Sequence, residues 1–143
     1  MRKKVFGRKL SRERSSREAF FVTLAENLVV HKKIITTKAK AKALIPLIDK
    51  LVVLSKKGTL VSKRNVLSKL RGNKKVATIL WRDIAKEFDD RNSGFTRIVT
   101  LPNRLGDMAA MVRMEFVKQI VSEKEKKVVK KNEKDLPANT KTS

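Results

Sequence analysis

The chain has 143 residues, 41% of them hydrophobic, which suits one compact domain and a tail. It holds 36 Lys and Arg against 14 Asp and Glu, a formal net charge of +22. A surface that is merely soluble mixes both signs, so this excess calls for a polyanion, where each phosphate contact releases a counterion. With no cysteine there is no disulfide, thiolate metal site or cysteine nucleophile, which fits a reducing compartment.

The charge is uneven. Residues 1–75 carry 22 basic and 4 acidic side chains, and residues 76–143 carry 14 and 10. The first half is therefore expected to make the main electrostatic contact. The start, MRKKVFGRKLS, is basic but lacks the apolar run of a secretion signal. No uncharged apolar stretch approaches the roughly 20 residues that span a bilayer.

Residues 1–14 read as a basic arm, extended or disordered alone and ordered on a phosphate backbone. Its cations are Arg2, Lys3, Lys4, Arg8, Lys9, Arg12 and Arg14. Ser15-Ser16-Arg17-Glu18 has the S-x-x-E spacing of a capping box and predicts the start of a helix. Phe20, Phe21, Leu24, Ala25, Leu28 and Val29 give that helix an apolar face, and it should end near His31. His31 is the chain's single histidine, so a helix C-terminal place near phosphate suits it better than metal or base chemistry.

Lys33-Ile34-Ile35-Thr36 is β-branched and reads as a strand. The central helix follows, opened by Thr36 or Thr37 as cap and by Lys38, Lys40 and Lys42. Its apolar residues Ala41, Leu44, Ile48, Leu51 and Val52 recur at intervals of three and four. Pro46 inside it predicts a kink or two abutting helices. Lys56-Lys57-Gly58 should end it.

A third helix is expected over 59–70, with Leu60, Val66, Leu67 and Leu70 inward and Lys63 and Arg64 among them. Arg71-Gly72-Asn73 reads as a turn, and a fourth helix over 74–89 carries Val76, Ile79, Leu80, Ile84 and Phe88 on one face. Trp81 is read as a packing residue. After a polar loop, 95–101 reads as a strand, 102–107 as a hairpin loop and 110–117 as a half-buried strand. In that last strand Val112, Met114 and Phe116 face one way and Arg113 and Glu115 the other. The fold expected is α+β in two layers: a small three-stranded mixed sheet covered by about four helices. The domain boundaries expected are 15–121, with a charged, disordered tail over 122–143.

Asp83, Glu87, Asp89, Asp90, Asp107 and Glu115 are the carboxylates open to acid–base or metal work, yet they form no repeated metal-ligand spacing. There is no P-loop, dinucleotide-binding glycine motif or nucleophile elbow. No enzyme activity, cofactor or metal is expected. Aromatic residues are 5% with no tyrosine, which argues against a base-stacking platform. A wide basic surface reads folded RNA through phosphate position and shape. The expected contacts are the arm cations with Arg17, His31 and Lys33; the central helix entry Thr36, Thr37, Lys38, Lys40 and Lys42; Lys63, Arg64 and Arg71; and Arg97 with Arg104 from the hairpin. A DNA-binding or nucleoid-compacting protein is the rival that charge alone allows.

Gly7-Arg8-Lys9-Leu10, Arg17, Ala19, Leu28 and His31 lead into Ile35-Thr36-Thr37 and Lys40-Ala41-Lys42. Further on stand Gly94-Phe95-Thr96-Arg97-Ile98 and Arg104-Leu105-Gly106-Asp107, with Met111 beyond. In that order and spacing they resemble the bacterial large-subunit ribosomal protein L17 family over about residues 1–117. Ser16, Val22, Thr23 and Val30 depart from the polar or basic residues common in that family, and Phe95 stands for its tyrosine. The resemblance implies a non-catalytic structural constituent of the ribosome in the cytoplasm. It would bind large-subunit (23S) ribosomal RNA beside neighbouring subunit proteins, on the side where the peptide exit tunnel opens, with no membrane or small-molecule substrate.

Overall fold

A computed structural model describes residues 8–120. Arg2, Lys3 and Lys4, and the tail expected over 122–143, lie outside the described residues. The first helix, α1 (Arg14–His31), is followed by strand β1 (Lys33–Thr37) and the central helix α2 (Lys38–Lys56). Then come α3 (Leu60–Lys69), α4 (Lys74–Ile79), a π-helical turn (Leu80–Ile84) and α5 (Ala85–Glu87). Strands β2 (Thr96–Thr100) and β3 (Met111–Phe116) complete the elements of the described residues.

The α+β fold is as expected, but the sheet is antiparallel throughout rather than mixed. Its order is β1-β3-β2, with Ile35 opposite Arg113 and Arg113 opposite Val99. The hairpin places β2 antiparallel to β3. The long return through the helices brings β1 to the other edge of β3, again antiparallel. The register puts Ile34, Thr36, Ile98, Val112, Met114 and Phe116 on the face toward the helices. Lys33, Ile35, Arg97, Val99, Arg113 and Glu115 lie on the outer face.

One continuous core joins the layers. Leu44, Ile48, Leu51 and Val52 of α2 meet Leu28 and Val29 of α1, Leu80 and Ile84 of the π turn, and Val112 and Met114 of β3. Phe88 packs edge-on to Phe95 with centroids 5.3 Å apart, sealing the end of the helical layer against the hairpin.

Four local expectations are corrected. The S-x-x-E capping box does not form: Glu13 is the N-cap, no side chain caps α1, and Ser15 and Ser16 are already helical. Glu18 bonds Arg14 instead, Nε to Oε1 at 3.1 Å, because a cation one turn back offers it more than a backbone amide does. Of the two outcomes expected at Pro46, the pair of abutting helices does not occur, since α2 runs unbroken through it. The proline sits exposed, so the hydrogen bond it removes lies on the solvated side. Leu60 is 63% exposed, and Ser62 is buried in its stead. The Thr59 hydroxyl accepts the Ser62 amide at 3.2 Å, which fixes the helix start and turns Leu60 outward. The fourth helix is not uniform, since Leu80–Ile84 widens into a π turn.

Candidate nucleic-acid interface

The chain passes from β1 into α2 with no linking residue. Thr37 ends the strand and is also the N-cap, in extended conformation (φ −73°, ψ 147°), and its side chain makes no cap hydrogen bond. The Lys38 amide donates to the Ala110 carbonyl at 2.9 Å, which ties the start of α2 to the end of the hairpin loop. The first turn of α2 thus lacks a side-chain cap, and its dipole favours an anion there.

A groove of about 490 Å³ opens at that point, lined by Arg8, Thr37, Lys38, Lys42, Ala109 and Ala110. Lys38 and Lys42 are one turn apart on one side of α2, and Arg8 approaches from the arm. Among the described residues none of these three cations has a carboxylate partner. Positive charge, an uncapped helix start and room for a phosphate group therefore coincide. The three lysines of K-A-K-A-K do not act together, however. Lys40 lies on another side of α2, 5.6 Å from the centroid of the Phe20 ring. Thr36 is buried on the sheet face toward the helices, opposite Val112, so its side chain is not at the surface.

A second groove gathers His31, Lys33 and Arg97 with Lys32 and Lys118. Its charge is tempered. Arg97 Nε donates to Glu115 Oε1 at 2.7 Å, and Arg113 Nε lies 2.9 Å from Oε2. The hydrogen bond from Arg97, with the nearby charges of Arg113 and Arg97, holds the Glu115 carboxyl below the usual range. Lys118 binds Asp90 at 2.6 Å and lowers that carboxyl likewise.

Arg104 is committed in the same way. Its Nε donates to Asp107 Oδ1 at 3.1 Å, and Nη2 bonds Oδ2. With the Ala109 amide also donating to Oδ1, the Asp107 carboxyl falls to about 2. Arg14 is held by Glu18, and Arg17 is half-buried on α1. Lys9 is exposed, and its carbonyl accepts the Arg12 amide at 3.2 Å.

Lys63, Arg64 and Arg71 stand apart, on α3 and the turn after it. Lys63 lies 5.9 Å from the Trp81 ring centroid, and a separate cleft there also takes in Lys56, Arg82 and Lys86. Sequence reasoning missed Arg113 as a cation of the outer sheet face, Lys118 as one just past β3 beside the second groove, and Arg82 as one beside α3. The strand alternation had already turned Arg113 outward, so that signal was present. Among the described residues no group of three or more His, Asp or Glu side chains gathers, and no helix is long and apolar enough to cross a membrane.

Three cations without a described carboxylate partner thus meet at one helix start of a small α+β body. The family model described as ribosomal protein L17 matches residues 20–117. A protein of Persephonella marina named large ribosomal subunit protein bL17 is 47% identical over 118 residues, covering 82% of this chain and 95% of its own. A protein of the same name from a Sulfurihydrogenibium species is 43% identical, covering 82% and 97%. One from Chloroherpeton thalassium is 40% identical, covering 82% and 69%. The chain is a ribosomal protein. Within that class it belongs to the ribosomal protein L17 family.

Proposed function

We propose that the chain is a structural, non-catalytic constituent of the large ribosomal subunit and holds its ribosomal RNA through the cationic face at the start of α2. The observation that carries this is the meeting of Arg8, Lys38 and Lys42 at an uncapped helix N-terminus with no described carboxylate to neutralise them. The relatives' shared name, large ribosomal subunit protein, supports the choice of polyanion. The reading counts Arg2, Lys3 and Lys4, which lie outside the described residues, among the RNA-contacting cations. The His31, Lys33 and Arg97 groove makes a weaker second contact, since Glu115 offsets part of its charge. The site proposed within the subunit is the side where the peptide exit tunnel opens, among other subunit proteins.

The test is sedimentation of tagged protein in a cell extract at physiological salt, which should place it with the large subunit. Recovery only in the free pool would overturn the reading. Large-subunit ribosomal RNA should also outcompete duplex DNA of equal phosphate content. Equal competition would favour a general DNA-binding role instead.

A further inference from the structure

Phe20 is an aromatic residue on α1 that stands outside the hydrophobic core. It is half-buried and touches Phe21 at a ring-centroid distance of 5.7 Å. Two cations from different parts of the chain share its ring. The Arg12 guanidinium carbon lies 4.3 Å from the centroid and Lys40 Nζ lies 5.6 Å from it. The ring quadrupole attracts both cations, so one side chain holds a charge from the arm and a charge from α2.

The geometry of both partners is fixed by local structure. Leu10 and Ser11 take left-handed conformations, φ 53° and 51°, and turn the arm back on itself. The Arg12 amide reaches the Lys9 carbonyl at 3.2 Å, and Arg12 Nη1 reaches the Leu10 carbonyl at 3.2 Å. That accounts for one of five guanidinium donors. A guanidinium held against a ring keeps the rest at its edge, in the fork that grips a phosphate through two oxygens. Lys40 is positioned by helix geometry. At 3.6 residues per turn it points about 200° away from Lys38 and about as far from Lys42, toward α1.

We propose that Phe20 is a positioning residue that builds a second phosphate site from Arg12 and Lys40, on the opposite side of the first turn of α2 from the Arg8, Lys38 and Lys42 groove. The start of α2 is then a wedge between two phosphate-bearing stretches of RNA. Each side carries its own cations. The inference rests on the RNA-binding reading above and adds how its cations are divided.

The experiment is filter binding of the full chain to large-subunit ribosomal RNA across a salt series. Phe20→Leu should weaken binding about two- to fivefold, the scale of an exposed cation–π contact, and Phe20→Trp should restore it. Lys40→Gln should lower the log–log salt slope by about 0.7–0.9. Arg12→Gln and Lys40→Gln should couple when combined, whereas Arg12→Gln and Lys38→Gln should add. The coupling comparison does not depend on Phe20→Leu folding. Unchanged binding by a folded Phe20→Leu chain, or additivity of Arg12→Gln with Lys40→Gln, would overturn the second site and leave the RNA reading intact. Binding of the unaltered chain that ignores salt would overturn the RNA reading itself.

Discussion

Arg104 and Asp107 close the hairpin between β2 and β3 with two side-chain hydrogen bonds three residues apart in sequence. Asp107 takes a third from the Ala109 amide at 3.2 Å. Arg104 thereby serves the loop that its own partner organises, and its charge is largely spent within the protein. Of the two hairpin cations in the sequence reading, this one is expected to contribute least to RNA. Arg104→Gln should change the salt slope by much less than the value of about 0.9 expected for one lost duplex contact. A full unit of slope would show that Arg104 leaves Asp107 to meet phosphate.

The same pair gives a pH prediction. The Asp107 carboxyl is lowered in the folded chain from 3.8 to about 2, by Arg104 first and the Ala109 amide second. A depressed carboxyl favours the fold above its unfolded value. The contribution should be whole above about pH 4 and vanish as pH falls toward 2. Because the pair is exposed, the effect is small, and the local probe is the Ala109 amide in hydrogen exchange. Asp107→Ala should remove the dependence in that window. An identical acid profile in the variant would count against the assignment.

Lys38→Gln and Lys42→Gln should each lower the salt slope by about 0.7–0.9 with little change in thermal midpoint, because both side chains are exposed. Loss of folding in either variant would contradict their surface role.

Leu51 is fully buried at the centre of α2. Leu51→Ala should destabilise the chain by roughly 2–5 kcal/mol in denaturant unfolding. Any fraction that remains folded should keep the salt slope of the unaltered chain. A changed slope would mean that the core does more than hold the cations in place.

Thr59 accepts the Ser62 amide and shares a 2.7 Å contact with the Ser62 hydroxyl. Thr59→Ala should cost about 1 kcal/mol by loss of the cap. No change in stability would mean that water replaces the hydroxyl at that helix start.

Most of the fold was legible because periodicity reports burial. Val112, Met114 and Phe116 alternate in the sequence and alternate in the sheet. Ala41, Leu44, Ile48 and Leu51 repeat at helical spacing and are buried. Choices among competing local partners were less legible. The S-x-x-E motif left open whether Glu18 would cap or pair with Arg14. Lysines at every second position look like one patch until the chain coils, and then Lys40 parts from Lys38 and Lys42. The neutralisation of Arg97 by Glu115 required the register across β2 and β3, a pairing over 18 residues of chain.

At Thr37 the sheet hands over to α2 without a hinge. The helix therefore has no slack in which to swivel, and the azimuth of its first lysines is geared to the pairing of β1 on β3. Sliding that ladder by one residue would turn Lys38 through roughly 100° and aim it away from its groove, with every cation still present. On the proposed function, RNA affinity would rest partly on backbone register, so a substitution deep in the β1–β3 pairing would silence the surface without touching a charge.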